Sequence, residues 1–209
     1  ERFIKDSGKA AAAKYTRAER LAGDAKVAPQ QSSQAVDDAL ARLNETPSVN
    51  AAEIGFLNSL KSDLSKDLSV GGLRRMRTSL RKKISSGGLV FGEDEARVLG
   101  IMDAAATDIR NGLQAQGKGK AAKAFDLADK EYRGRMEFIN GTLQKVIGKR
   151  GSNLSAETVA KNLNGMLRGR DSEGARAFLS KLTPEEHADF GATLANSLGR
   201  SSPDEPFSV

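Results

Sequence analysis

Cysteine and tryptophan are absent from the 209 residues, and histidine occurs once. Without cysteine the chain has no disulfide framework, thiolate metal site or thiol nucleophile. A single histidine excludes multi-histidine metal sites and leaves at most one imidazole for general base work. Aromatic residues amount to only 5%, so the core has to be built from Leu, Ala, Ile, Val and Met. The apolar runs fall far short of the roughly 18 residues that mark a membrane span, and no signal peptide is visible. Because the first residue is Glu1 and not Met, a fragment or a processed product is expected.

What is present is charge and helical period. Hydrophobic residues make up 38% and charged residues 29%, with 33 basic against 27 acidic side chains and a net charge of +6. Such a composition is polar but globular, and the basic excess points toward polyanions such as nucleic acid or anionic lipid.

Apolar residues recur at steps of three and four. Leu99, Met102, Ala106, Ile109 and Leu113 form one stripe, and Phe125, Ala128, Tyr132, Met136, Ile139, Leu143 and Val146 form a second. This spacing predicts two long antiparallel helices, about 93–116 and 120–147, joined by a flexible basic loop at Gly117-Lys118-Gly119. Ile54, Leu57, Leu60, Leu64 and Leu68 mark another helix, and Val36, Leu40 and Leu43 a shorter one before it. Beyond the joint at Gly148-Lys149-Arg150-Gly151, three short helices are expected at about 155–168, 172–181 and 184–199. Pro29, Pro47, Pro184, Pro203 and Pro206 all fall between periodic segments or at a helix start, where a missing N–H does no harm. Thr183-Pro184-Glu185-Glu186 has the residues of a capping box, and Asn50 with Glu53 those of a simpler cap. Glu93, Asp94 and Glu95 oppose a helix dipole at the start of the first long helix. The only strand-like piece, Leu89-Val90-Phe91, is read as an apolar connector.

These features predict an all-α fold: an elongated helical bundle with long antiparallel helices over about 25–150, and a small three-helix C-terminal subdomain over 151–200. Residues 1–24 form an Ala-rich helical segment that protrudes or needs a partner. Residues 201–209 form a flexible tail.

Chemistry is most concentrated in Leu73-Arg74-Arg75-Met76-Arg77-Thr78-Ser79-Leu80-Arg81-Lys82-Lys83-Ile84. Leu73, Met76, Leu80 and Ile84 share one narrow stripe at about 100° per residue. Arg74, Arg75, Arg77, Arg81, Lys82 and Lys83 cover much of the remaining surface, a candidate polyanion-binding set. Two readings stay open: a contact to phosphates, or a solvated face paired with acidic neighbours. No aromatic residue interleaves with the cations, so base stacking finds no support in this stretch. Removing these six leaves 27 basic and 27 acidic residues, so the excess charge is equivalent to this one helix.

Other motifs carry less. Gly112 and Gly117-Lys118 nearly match a phosphate-binding loop, but Gly119 stands where Ser or Thr is required, and Gly112 lies inside a helical stripe. His187 is expected on the inner face of the last helix as a packed or half-exposed residue. The sequons at Asn44, Asn140 and Asn153 are chance matches, because nothing else indicates secretion. No catalytic, cofactor-binding or metal-binding constellation stands out, and no small-molecule substrate is expected.

From about Ala124 onward the features follow a familiar order. Ala128-Asp129-Lys130-Glu131-Tyr132-Arg133 begins a long helix, followed by Leu143-Gln144-Lys145-Val146-Ile147-Gly148-Lys149 and a glycine-rich joint. Then come Met166-Leu167-Arg168-Gly169-Arg170-Asp171-Ser172, the Thr183-Pro184-Glu185-Glu186 turn and a helix closing at Leu198-Gly199. This order resembles the helical region of large DNA-transfer or ejection proteins of tailed phages and prophages. Such sequences would carry Trp where His187 stands. The resemblance implies a non-enzymatic virion protein, structural or DNA-ejecting, with DNA or an anionic membrane surface, other virion proteins and further copies of itself as partners. A bacterial helical adaptor or secreted effector that binds an acidic protein partner is the alternative, placing the chain in the bacterial cytoplasm or outside the cell.

Overall fold

A computed structural model describes residues 2–45, 51–85, 92–148 and 154–198. The architecture is all-α, as expected. The helices are α1 (Arg2–Ala22), α2 (Gln30–Leu43), α3 (Ala51–Asp63), α4 (Val70–Ser85), α5 (Gly92–Ala115), α6 (Gly119–Phe138), α7 (Gln144–Ile147), α8 (Ala156–Arg168), α9 (Ser172–Leu179) and α10 (Pro184–Leu198). A π-helical turn, Ile139–Leu143, interrupts the predicted run to 147 between α6 and α7. The chain divides into two compact units, Ala12–Asp129 and Glu1–Ala11 with Lys130–Val209. These limits cross α1 and α6, whereas the sequence places its boundaries near residues 24 and 150.

In the unit Ala12–Asp129 the predicted pair of long helices is α5 and α6. Their turn closes as a Schellman motif: Lys118 N–H donates to the Leu113 carbonyl at 2.8 Å and Gly117 N–H to that of Gln114 at 3.0 Å. Gly117 sits at φ +70°, the left-handed conformation this motif requires. Arg110 Nε donates to Asp126 Oδ1 at 2.8 Å across the pair, a pairing nearly symmetric about the turn and hence antiparallel. The Lys118 ammonium donates to the Ala22 carbonyl and so satisfies the C-terminus of α1.

The buried stripe of α5 is Val98, Ile101, Met102, Ala105, Ala106, Ile109 and Leu113. Leu99 is exposed at 42%, so the expected start of the stripe is corrected by one residue, or about 100° of helix rotation. The Ala-rich α1 is packed rather than protruding: Tyr15, Ala18 and Ala22 are buried. Small side chains let neighbouring elements approach closely, which compensates for the few large apolar groups.

The helix expected to run through Leu68 stops at Asp63. Leu68 instead enters β2 (Leu68–Ser69), which pairs antiparallel with β1 (Lys26–Val27), Val27 opposite Leu68. The sequence reading contains no counterpart to this two-residue ladder.

Asp108 on α5 is buried and caps α2 from a distance. Its Oδ1 accepts from Gln31 N–H at 2.9 Å, and its Oδ2 from Ser32 N–H at 2.8 Å and the Ser32 hydroxyl at 2.7 Å. The residue preceding α2 is Pro29, which makes no side-chain cap. The carboxylate therefore satisfies orphan donors that the local sequence leaves open.

In the other unit, Leu143, Val146, Leu163, Met166, Ala175 and Phe178 form a core. The three C-terminal helices match the expected ones within two residues. Ser155 caps α8 by accepting from Thr158 N–H. Thr183 and Glu186 form the expected capping box, with bonds of 3.2 and 2.7 Å. Arg135 ties down the start of α1, donating to the Ser7 hydroxyl at 2.8 Å and the Ile4 carbonyl at 2.9 Å. The Asn50 cap, the Leu89-Val90-Phe91 connector, the Lys149-Arg150-Gly151 joint and the 201–209 tail lie outside the described residues.

Candidate polyanion-binding helix and the adjoining cleft

The helix α4 separates its six cations into two sets. Leu73 and Leu80 are fully buried and Met76 is half-buried, so the predicted apolar stripe fixes how the helix is turned. Arg74, Arg77 and Arg81 fall within about 60° of one another beside that stripe. Arg75 and Lys82 lie together farther round, and Lys83 follows on the same exposed side.

The first set faces inward. Arg77 grips Asp129 with two parallel bonds, Nη1–Oδ1 at 3.0 Å and Nη2–Oδ2 at 2.9 Å. Its guanidinium carbon lies 5.6 Å from the centre of the Phe125 ring. The Tyr15 hydroxyl donates to the same carboxylate, and Tyr15 meets Phe125 edge-on at 5.7 Å. Burial, followed by the bond to and charge of Asp129, pushes the Tyr15 phenol above its usual range; Arg77 and Arg81 oppose that rise. Arg74 pairs with Glu19 at 2.8 Å and covers the Tyr15 ring at 4.7 Å. These arginines join α4 to α1 and α6, the paired-face reading of the basic run.

The second set faces outward. Arg75, Lys82 and Lys83 are exposed. Between α3 and α4 runs a cleft of about 690 Å³ whose lining includes Lys66, Arg75, Lys83 and Asp63, so three cations meet one carboxylate. Phe56, Leu60, Met76 and Leu80 give it an apolar floor, and Ser59 and Ser79 line its sides. The Lys83 ammonium sits 3.7 Å from the centre of the Phe56 ring. The structure thus brings an aromatic residue beside the basic helix, which the linear run does not contain. Phe56 lies off the predicted α3 stripe of Ile54, Leu57, Leu60 and Leu64, and a large aromatic out of phase was the available signal. Lys66, in the connection between α3 and β2, gave none.

The remaining sequence candidates are placed as follows. Gly112 is seated on Val27, where a Cβ would come within 2.9 Å of both methyl groups; close packing accounts for this glycine. His187 is exposed, which corrects its assignment to the inner face. The inward side of α10 instead passes through Glu186, Phe190 and Thr193, with Phe190 on the core. Among the described residues no His, Asp and Glu are grouped to hold a metal ion, and no helix is long and apolar enough to cross a membrane. In comparisons with known proteins, no family model, curated protein or solved structure matches the chain.

Proposed function

We propose that this chain is a non-enzymatic, virion-associated protein of a tailed phage or prophage, a structural or DNA-ejection component that contacts polyanions through α4. The order of features from Ala124 onward supports the virion context. The observation that carries the contact is the outward set on α4: Arg75, Lys82 and Lys83 are exposed, and Lys66 lines the cleft with Arg75 and Lys83. Arg74 and Arg77 already neutralise Glu19 and Asp129, so they act as framework for the contact rather than as its surface. DNA is the principal partner in this reading, with other virion proteins and further copies of the chain as assembly partners.

Duplex DNA binding measured against salt tests the contact. Neutralising about four phosphates gives a log–log slope of roughly −3 to −4, shallower than six cations would produce. Replacing Arg75, Lys82 and Lys83 together with Gln abolishes most of the slope while leaving the helical signal unchanged. Undetectable binding at low salt, or a slope untouched by the triple substitution, overturns the proposal. The apolar floor of the cleft favours one second reading, a helical adaptor for an acidic protein segment.

A further inference from the structure

We infer that the cleft between α3 and α4 takes single-stranded nucleic acid, with an unpaired base lodged against Phe56 and Met76 and neighbouring phosphates at Lys66, Arg75 and Lys82. This inference rests on the polyanion reading of α4 and names its ligand class.

A duplex would leave part of this cleft unused. Its bases are stacked inside and its phosphates lie outside, so it would touch the Arg75–Lys82 ridge and pass over the apolar floor. A strand with unstacked bases uses both. Sequence-tolerant binding of single strands combines a cationic groove with an aromatic face on which a base can lie, and the cleft supplies both within about 690 Å³. That volume is in the range of pockets that enclose small organic ligands, so a base with its sugar fits. Ser59, Ser79 and the Asp63 carboxylate line the same space and offer hydrogen bonds to the polar edges of a base. Lys83 now covers the Phe56 ring. Lys83 is an exposed residue, and on binding its ammonium moves to a phosphate and releases the ring. A base on the ring is worth more than an exposed ammonium there.

The test measures binding of the full chain to a labelled 20-mer of thymidine nucleotides, an abasic 20-mer of the same charge, and a 20-base-pair duplex, all at one salt concentration. The thymidine strand is expected to bind roughly tenfold or more tightly than the abasic one, and more tightly than the duplex. Phe56→Leu should remove most of that preference. The abasic strand keeps the test independent of whether the variant folds. Equal binding of all three overturns the base pocket and leaves the polyanion reading standing, whereas no binding of any overturns both. Displacement of the thymidine strand by polyglutamate as effectively as by unlabelled strand overturns the inference in favour of an acidic protein partner.

Discussion

Arg77 and Asp129 face each other through two parallel hydrogen bonds of 3.0 and 2.9 Å, with side chains only 11% and 4% exposed. The pair joins α4 to α6 and is completed by the Tyr15 hydroxyl from α1. A guanidinium in this position fixes the rotation of α4, because its planar fork meets the carboxylate in one orientation. The cations pointing the other way are thereby presented outward.

Breaking this pair from one side strands a buried charge. Arg77→Ala or Asp129→Ala should each cost about 3–5 kcal/mol, read from urea unfolding followed by helical circular dichroism. Arg75→Gln, at an exposed position of the same helix, should stay within about 0.5 kcal/mol. Equal effects at positions 75 and 77 would show that the two faces of α4 are not distinct.

Tyr15 gives the network a signature at high pH. Burial and the bond to Asp129 push its phenol up, while an unfolded tyrosine loses its proton near pH 10. Below that pH both states hold the proton, and the group adds no pH dependence. Above it the unfolded state holds fewer protons than the folded one, so stability falls as pH rises, by up to about 1.4 kcal/mol per unit. The stability difference between the native chain and Tyr15→Phe should therefore be constant from pH 7 to 9 and shrink above pH 10. Parallel unfolding curves to pH 11 would refute the raised phenol.

Two glycines of α5 should respond oppositely to the same change. Gly100→Ala meets nothing within 4 Å and should stabilise by about 0.5–1 kcal/mol, the ordinary gain of alanine in a helix. Gly112→Ala places a methyl 2.9 Å from the two Val27 methyl groups, and Val27 is only 1% exposed. Overpacking of about 1–3 kcal/mol exceeds the helical gain, so this variant should be destabilised. Thermal melting of the two variants decides the matter by sign.

The helices themselves were legible from the sequence, because apolar side chains at steps of three and four mark one face whatever lies opposite. The three C-terminal helices and the Thr183–Glu186 capping box were equally legible, since their hydrogen bonds join residues three or four apart. The candidate site was half legible. The basic run located α4 and its six cations, but could not sort them into inward and outward sets. That sorting depends on Glu19 and Asp129, which lie 55 and 52 residues away in the chain. Phe56 reaches Lys83 only because the fold sets α3 across the cleft from α4. Asp108 reads locally as one more acid on a helix, yet it caps α2 at a distance of 76 residues. The all-α class, the helix periods and the concentration of charge are local properties of the chain and can be read along it. Which cations turn inward onto Glu19 and Asp129 and which are exposed follows from the packing, because a salt bridge or a trans cap depends on a partner that neighbouring residues do not specify.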